Sequence, residues 1–311
     1  MIADDAFDPD LINEETLSFN VDLSARLARA PTPTEVPLTE TRKARAEGKG
    51  LFPPAGPLSG SNWVEIPGAP GGPGRVRLSL PATGPVRGVY LHIHGGGWSL
   101  GAPDQYDGYC QRIAAMTGLA VASVHYRLSP EHRWPGCADD CEAAARWAMQ
   151  TYAGPMVIGG ESAGAHLSAI TLLRLRDSGD HRRVAATVLN YGCFDLGMTP
   201  SARNWGEEYM ILSTPVIAWF AQNLLNGGDA REASPLWADL SDLPPALFQV
   251  GTLDPLLDDT IFMAGRWRAA GNKARLALVP GGVHAFDCFD LKIARVAHSR
   301  QDEFVNACLK G

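Results

Sequence analysis

Apolar and polar positions along the chain change period several times, and the changes mark its elements. Residues 63–66 and 76–80 alternate with period two and read as strands, and 88–94 is almost entirely β-forming. From there the patterns take turns. Residues 104–117 and 137–151 have helical spacing, 120–125 and 156–159 read as strands, 165–173 is helical and 185–191 is a strand. The alternation predicts an α/β fold: a mostly parallel sheet with helices on both faces. It stops between about 194 and 240, where 214–221 reads as a helix and no strand signal appears. A stretch that long is an insertion, not a loop. The rhythm resumes with a strand at 246–250, a helix at 256–270, a strand at 275–279 and a helix at 293–309.

The first 50 residues have another character. Asp8-Pro9 looks like a helix start. Leu23, Leu27 and Ala30 share a helical face within 21–30, which Pro31 and Pro33 end, and Thr39 is placed to cap a third helix reaching Gly48. These pieces are too short and too polar to fold alone, so they are expected to pack over something else. The resulting division is 1–50 as the first part of a helical cap, 51–193 as the first part of the core, 194–240 as inserted cap helices and 241–311 as the second part of the core.

Composition narrows the function classes. The 311 residues are 45% hydrophobic and 20% charged, with a formal net charge of −7. No basic cluster exists to neutralise phosphates, so a nucleic-acid partner is not expected. Arg42-Lys43-Ala44-Arg45, flanked by Glu40 and Glu47, reads as the solvated face of a short helix. Residues 1–8 are acidic and do not resemble a secretory signal, and no apolar run approaches a membrane span. A soluble, cytoplasmic protein is expected. Cys110, Cys137, Cys141, Cys193, Cys288 and Cys308 contain no C-x-x-C pair, and no His pair completes a zinc site around Cys137 and Cys141. Free thiols and no metal are the expectation.

The candidate chemistry begins at Gly160-Glu161-Ser162-Ala163-Gly164, a G-x-S-x-G between a strand and a helix. In that setting the serine is thrust out of the sheet beside a helix N-terminus. A serine hydroxyl needs a base in hydrogen-bond reach and a third group to orient the base. Asp254 and His284 follow the next two strands, at the C-terminal strand ends where ligand sites form in open α/β folds. Other candidates fit less well. His92 reads as a packed strand residue, and His166 lies on the helix behind the serine. His125 precedes the serine in the chain; His132, His181 and His298 sit among polar residues and read as surface. Asp258 and Asp259 fall inside the following helix. His94-Gly95-Gly96-Gly97-Trp98 leaves a strand with three glycines, which expose N–H groups to a substrate oxygen. Gly96, Gly97 and Ala163 are the candidate oxyanion donors, and His94 is a loop organiser. Trp98 and Tyr191 are candidate pocket walls because they adjoin the site in sequence. Trp205 and Tyr209, with Trp219 and Phe220, either line a pocket or fill the insertion's own core.

Together with Tyr126–His132, Ser234–Leu240, Asp254-Pro255-Leu256-Leu257-Asp258 and His284-Ala285-Phe286, these motifs resemble the hormone-sensitive-lipase-like family of α/β-hydrolase esterases. The resemblance runs from about residue 60 onward. It implies hydrolysis of carboxylic esters through an acyl-enzyme, with no cofactor, a small ester as substrate, a cap built from the N-terminus plus the insertion, and frequent homodimerisation. Three positions depart from the family: Glu161 where Asp is more frequent, His166 where Asn is common, and Leu257 in place of the usual Arg. A mostly apolar capped pocket points to short- to medium-chain or aryl esters. Two other functions remain open at this point, amide or aryl-formamide hydrolysis with the same triad and a non-catalytic ligand receptor on the same fold. A dehalogenase or epoxide hydrolase would require an acidic nucleophile where Ser162 stands.

Overall fold

The computed structural model describes residues 7–53 and 56–310. The acidic start at residues 1–6, on which the signal-peptide reading rests, lies outside them. Eight strands form one sheet: β1 (Ser61–Glu65), β2 (Arg75–Ser79), β3 (Val89–Ile93), β4 (Ala120–Val124), β5 (Met156–Glu161), β6 (Val184–Asn190), β7 (Ala246–Leu253) and β8 (Ala274–Val283). Their spatial order is β1-β2-β4-β3-β5-β6-β7-β8. The β1–β2 and β2–β4 pairs are antiparallel and the remaining pairs are parallel.

Side-chain alternation divides each central strand between two cores. Val89 and Leu91 of β3 and Met156 and Ile158 of β5 face the helices α4 (Gly136–Thr151), α5 (Ala163–Asp177) and α8 (Leu257–Ala269). Tyr90 and Val157 point the other way, toward α3 (Asp107–Thr117) and α9 (Lys292–Cys308). Buried on both faces, these strands read in sequence as nearly continuous apolar runs. α5 is buried along almost its whole length, as the helix behind a central strand must be.

The N-terminal segment differs in detail from its sequence reading. Asp8 caps a single 3₁₀ turn, Pro9–Leu11. The first helix, α1 (Glu14–Leu27), starts earlier than its apolar spacing suggests, because the Asn13 side chain accepts from the Thr16 N–H. It buries Leu23 and Leu27 against the end of β8 and α9, while Ala30 is exposed beyond its end. Thr39 does not cap α2 (Leu38–Ala46): Pro37 occupies the cap position and no side chain accepts there. The 194–240 segment carries α6 (Pro200–Asn204) and α7 (Thr214–Leu225).

Strands β7 and β8 run on past the expected ends at 250 and 279. Their pairing shifts register between Gly251 and Leu253, after which Leu253 lies opposite Val283. The next residue on each strand is Asp254 and His284. The sheet register itself therefore brings these two side chains together.

Candidate active site

Ser162 stands at the bend between β5 and α5 with φ 55° and ψ −121°, a conformation that costs a non-glycine residue about 1–3 kcal/mol. Its neighbours make the bend possible. A Cβ on Gly164 would lie 1.8 Å from the Ile93 carbonyl oxygen, so the turn can press against the end of β3 only with glycine there. The strained bend projects the Ser162 hydroxyl into a cavity of about 370 Å³ that His284, Gly96, Gly97, Tyr191, Tyr209 and Phe220 also line.

The Ser162 Oγ lies 2.9 Å from His284 Nε2, and His284 Nδ1 lies 2.9 Å from Asp254 Oδ2. Asp254 is buried, and its other oxygen accepts the Leu256 N–H at 2.8 Å. The carboxylate thus fixes the imidazole with its Nδ1–H toward Asp254, leaving Nε2 to accept the serine proton. Tyr191 packs its ring edge against His284 at 5.0 Å and 72°.

The glycine run after β3 borders the same cavity. Gly97 has φ +58°, and a Cβ there would fall 2.3–2.5 Å from atoms of the Phe220 ring. In the hydrogen-bond network of the described residues, the N–H groups of Gly96, Gly97 and Ala163 donate to no carbonyl, which leaves them free for a ligand oxygen. His94 is fully buried; its Nδ1 donates to the Gly95 carbonyl at 2.8 Å and its ring stacks on Tyr126 at 4.3 Å. Burial drives its pKa down to about 3, so it is a neutral prop for the loop.

Trp98 does not line the cavity. Its backbone turns at φ 57°, and the buried indole donates to His166 Nδ1 at 3.1 Å. Burial holds His166 down at about 4, and its Nε2–H donates to the Ala233 carbonyl at 2.7 Å. His166 therefore ties the glycine loop, the helix behind Ser162 and the inserted segment together. Trp205 also stays out of the cavity, packing against the cluster that holds Met210 and Ile211, with its N–H on the Glu208 carbonyl at 3.0 Å. Tyr191 and Tyr209 do line it. Asp258 and Asp259 serve the insertion: Asp258 accepts the Ser201 N–H, and Asp259 accepts the N–H groups of Phe194 and Asp195 and the Thr199 hydroxyl.

Glu161, which the sequence leaves without a role, meets His92 at 2.8 Å, and the far side of that imidazole bonds Ser123 at 2.7 Å. Burial opposes charge on His92, but the adjacent Glu161 carboxylate holds its pKa up at about 10. The result is a buried ion pair tying β3 to the residue before Ser162. Three further readings need correction. His298 is half-buried and lines the cavity, and His181 is buried, with Nε2 3.2 Å from Asp242. Arg42 is not solvated: it donates to the Ser99 and Ser129 carbonyls and pairs with both Glu131 oxygens, while Arg45 reaches the cavity wall. Among the described residues, no group of three or more His, Cys, Asp or Glu is placed to hold a metal ion, and no helix is long and apolar enough to cross a membrane.

A family model described as the alpha/beta hydrolase fold matches residues 90–288, which include the Ser162 turn, Asp254 and His284. The chain belongs to the α/β-hydrolase fold family. Within it, the chain is similar to proteins named as ester hydrolases. It is 33% identical over 238 residues to the carboxylic ester hydrolase LipN of Mycobacterium tuberculosis, covering 72% of this chain and 63% of that protein. With carboxylesterase NlhH of the same species it shares 32% identity over 237 residues, 72% of each chain. A crystal structure of a hormone-sensitive lipase from a metagenome library superposes with a TM-score of 0.84 at 25% identity, covering 94% of this chain and 98% of that one. The chain spans under two thirds of LipN's length.

Proposed function

We propose that this hydrolase cleaves short- to medium-chain or aryl carboxylic esters through a Ser162 acyl-enzyme. One observation carries the reading: the unbroken hydrogen-bonded line from Asp254 through His284 to Ser162, at the wall of a cavity. His284 takes the Ser162 proton as Oγ attacks the ester carbonyl, and Asp254 stabilises the imidazolium. The oxyanion is held by the N–H groups of Gly96, Gly97 and Ala163. His284 then protonates the departing alcohol, and the same imidazole activates the water that releases the acid. No cofactor takes part.

The cavity volume supports the substrate size, since about 370 Å³ lies at the lower end for small-molecule sites. Ile211, Leu212 and Phe220 supply apolar wall for an acyl or alcohol chain. The same reading makes residues 194–240 and the described part of 1–50 one cap over the site, and homodimerisation comes with the family resemblance. A cytoplasmic location agrees with the free thiols of Cys110, Cys137, Cys141 and Cys193.

The test is a panel of p-nitrophenyl esters graded by acyl length, with an aryl formamide beside them and Ser162→Ala as control. Short and medium esters are expected to be turned over faster than the formamide. Ser162→Ala is expected to lower kcat at least roughly 10³-fold with the fold retained. Faster cleavage of the formamide would make this an amide hydrolase, and a fully active Ser162→Ala enzyme would remove the serine from the mechanism.

A further inference from the structure

The cavity has two unlike ends. One is walled by Ile211, Leu212 and Phe220. The other is bordered by Tyr109 and Arg112 of α3, by His298 of α9 and by Asp287. Asp287 is buried, and its Oδ1 accepts the Tyr191 hydroxyl at 2.5 Å. Its Oδ2 has no hydrogen-bond partner among the described residues, and His298 Nε2 stands 3.9 Å from it, too far for a direct bond. His298 Nε2 is itself buried with no partner. Two polar atoms on residues that line one cavity thus stand side by side without satisfying each other, which is costly unless a third group bonds both.

We infer that this inner end selects esters carrying a hydroxyl group, which Asp287 and His298 bind together. The argument rests on the ester-hydrolase reading and on matching donors to acceptors. A hydroxyl gives its proton to the Asp287 carboxylate and accepts one from His298 Nε2–H. An ammonium group has no lone pair for the imidazole N–H, and a carboxylate would face Asp287 charge to charge. An alkyl group would leave both atoms bare. Burial lowers the His298 pKa, which keeps the ring neutral with one N–H to offer. Tyr191 couples this end to the chemistry, since its hydroxyl holds Asp287 while its ring edge packs on His284.

The experiment compares kcat/KM within two ester pairs, one with the hydroxyl in the acyl half and one with it in the alcohol half. These are methyl 3-hydroxybutyrate against methyl butyrate, and 2-hydroxyethyl butyrate against ethyl butyrate. In at least one pair the wild-type enzyme is expected to prefer the hydroxylated ester by roughly tenfold or more, the usual worth of a hydrogen bond to a charged group. His298→Phe removes one partner. Asp287→Asn keeps an oxygen for Tyr191 and replaces the other with a donor. Each is expected to cut the preference several-fold, and because the readout is a ratio, any general loss of activity cancels. Equal use of all four esters, or a preference that survives both substitutions, overturns this inference alone. A wild-type enzyme inert toward all four but active on the p-nitrophenyl esters overturns this inference alone, and one inert toward those as well overturns the ester-hydrolase reading with it.

Discussion

The floor of the cavity and its cover are built by different means. Ser162, Asp254 and His284 each follow the end of a parallel strand, and the sheet register sets their spacing. The glycine run is held as firmly, by His94 on the Gly95 carbonyl and by Trp98 on His166. Across the cavity, α2 buries none of its residues, and α1 buries only Thr16, Leu23 and Leu27. α2 is fastened mainly by one side chain, Arg42, which reaches the loops after β3 and β4. The floor stores backbone strain at Ser162 because the surrounding core over-determines it. The cover, held by few contacts, can change its grip without moving the floor. Floor substitutions should therefore act on kcat, and cover substitutions on KM.

The strongest test of that division is Gly97→Val. Its side chain cannot share space with the Phe220 ring and a β-branched residue is strained at φ +58°, so the loop shifts and carries its N–H groups with it. A kcat loss of about 10²-fold is expected, the usual worth of one oxyanion donor, with an unaltered circular dichroism spectrum. Gly265→Ala is the matched control: nothing lies near a Cβ there, so activity should stay at the wild-type level. A Gly97→Val enzyme with normal kcat would detach the glycine run from the chemistry.

A smaller effect is expected from the cover. Arg42→Met removes the bonds to the Ser99 and Ser129 carbonyls and the pairing with Glu131. A half-exposed pair of this kind is worth at most about 1 kcal/mol, so KM should rise by no more than roughly fivefold while kcat holds. Steady-state kinetics at low and high salt separate the outcomes, because screening should bring the wild type toward the variant. A fall in kcat at constant KM would contradict the division.

The same contrast explains what the sequence reveals. Ser162, Asp254 and His284 were legible because each follows a strand and sits in a motif with one local geometry. The cavity walls were not, because chain proximity is a poor guide to where a side chain points. Trp98 adjoins the glycine run, yet its left-handed backbone turns the indole away to His166. His298 sits among polar residues but lies on the inward stripe of α9, between buried Ala294, Ala297 and Gln301. Polar residues on a helix face that should be apolar were the available signal. Glu161 could not be paired from sequence, since its partner His92 lies 69 residues earlier and meets it only across the β3–β5 pair.

The central claim is that His284, oriented by Asp254, makes Ser162 a nucleophile. Mass spectrometry of the protein after treatment with an organophosphonate ester measures this most directly. One adduct per chain is expected, on the peptide carrying Ser162, with labelling strongly slowed in His284→Ala. A wild-type protein that stays unlabelled at Ser162, or a His284→Ala variant labelled at the wild-type rate, would contradict the account.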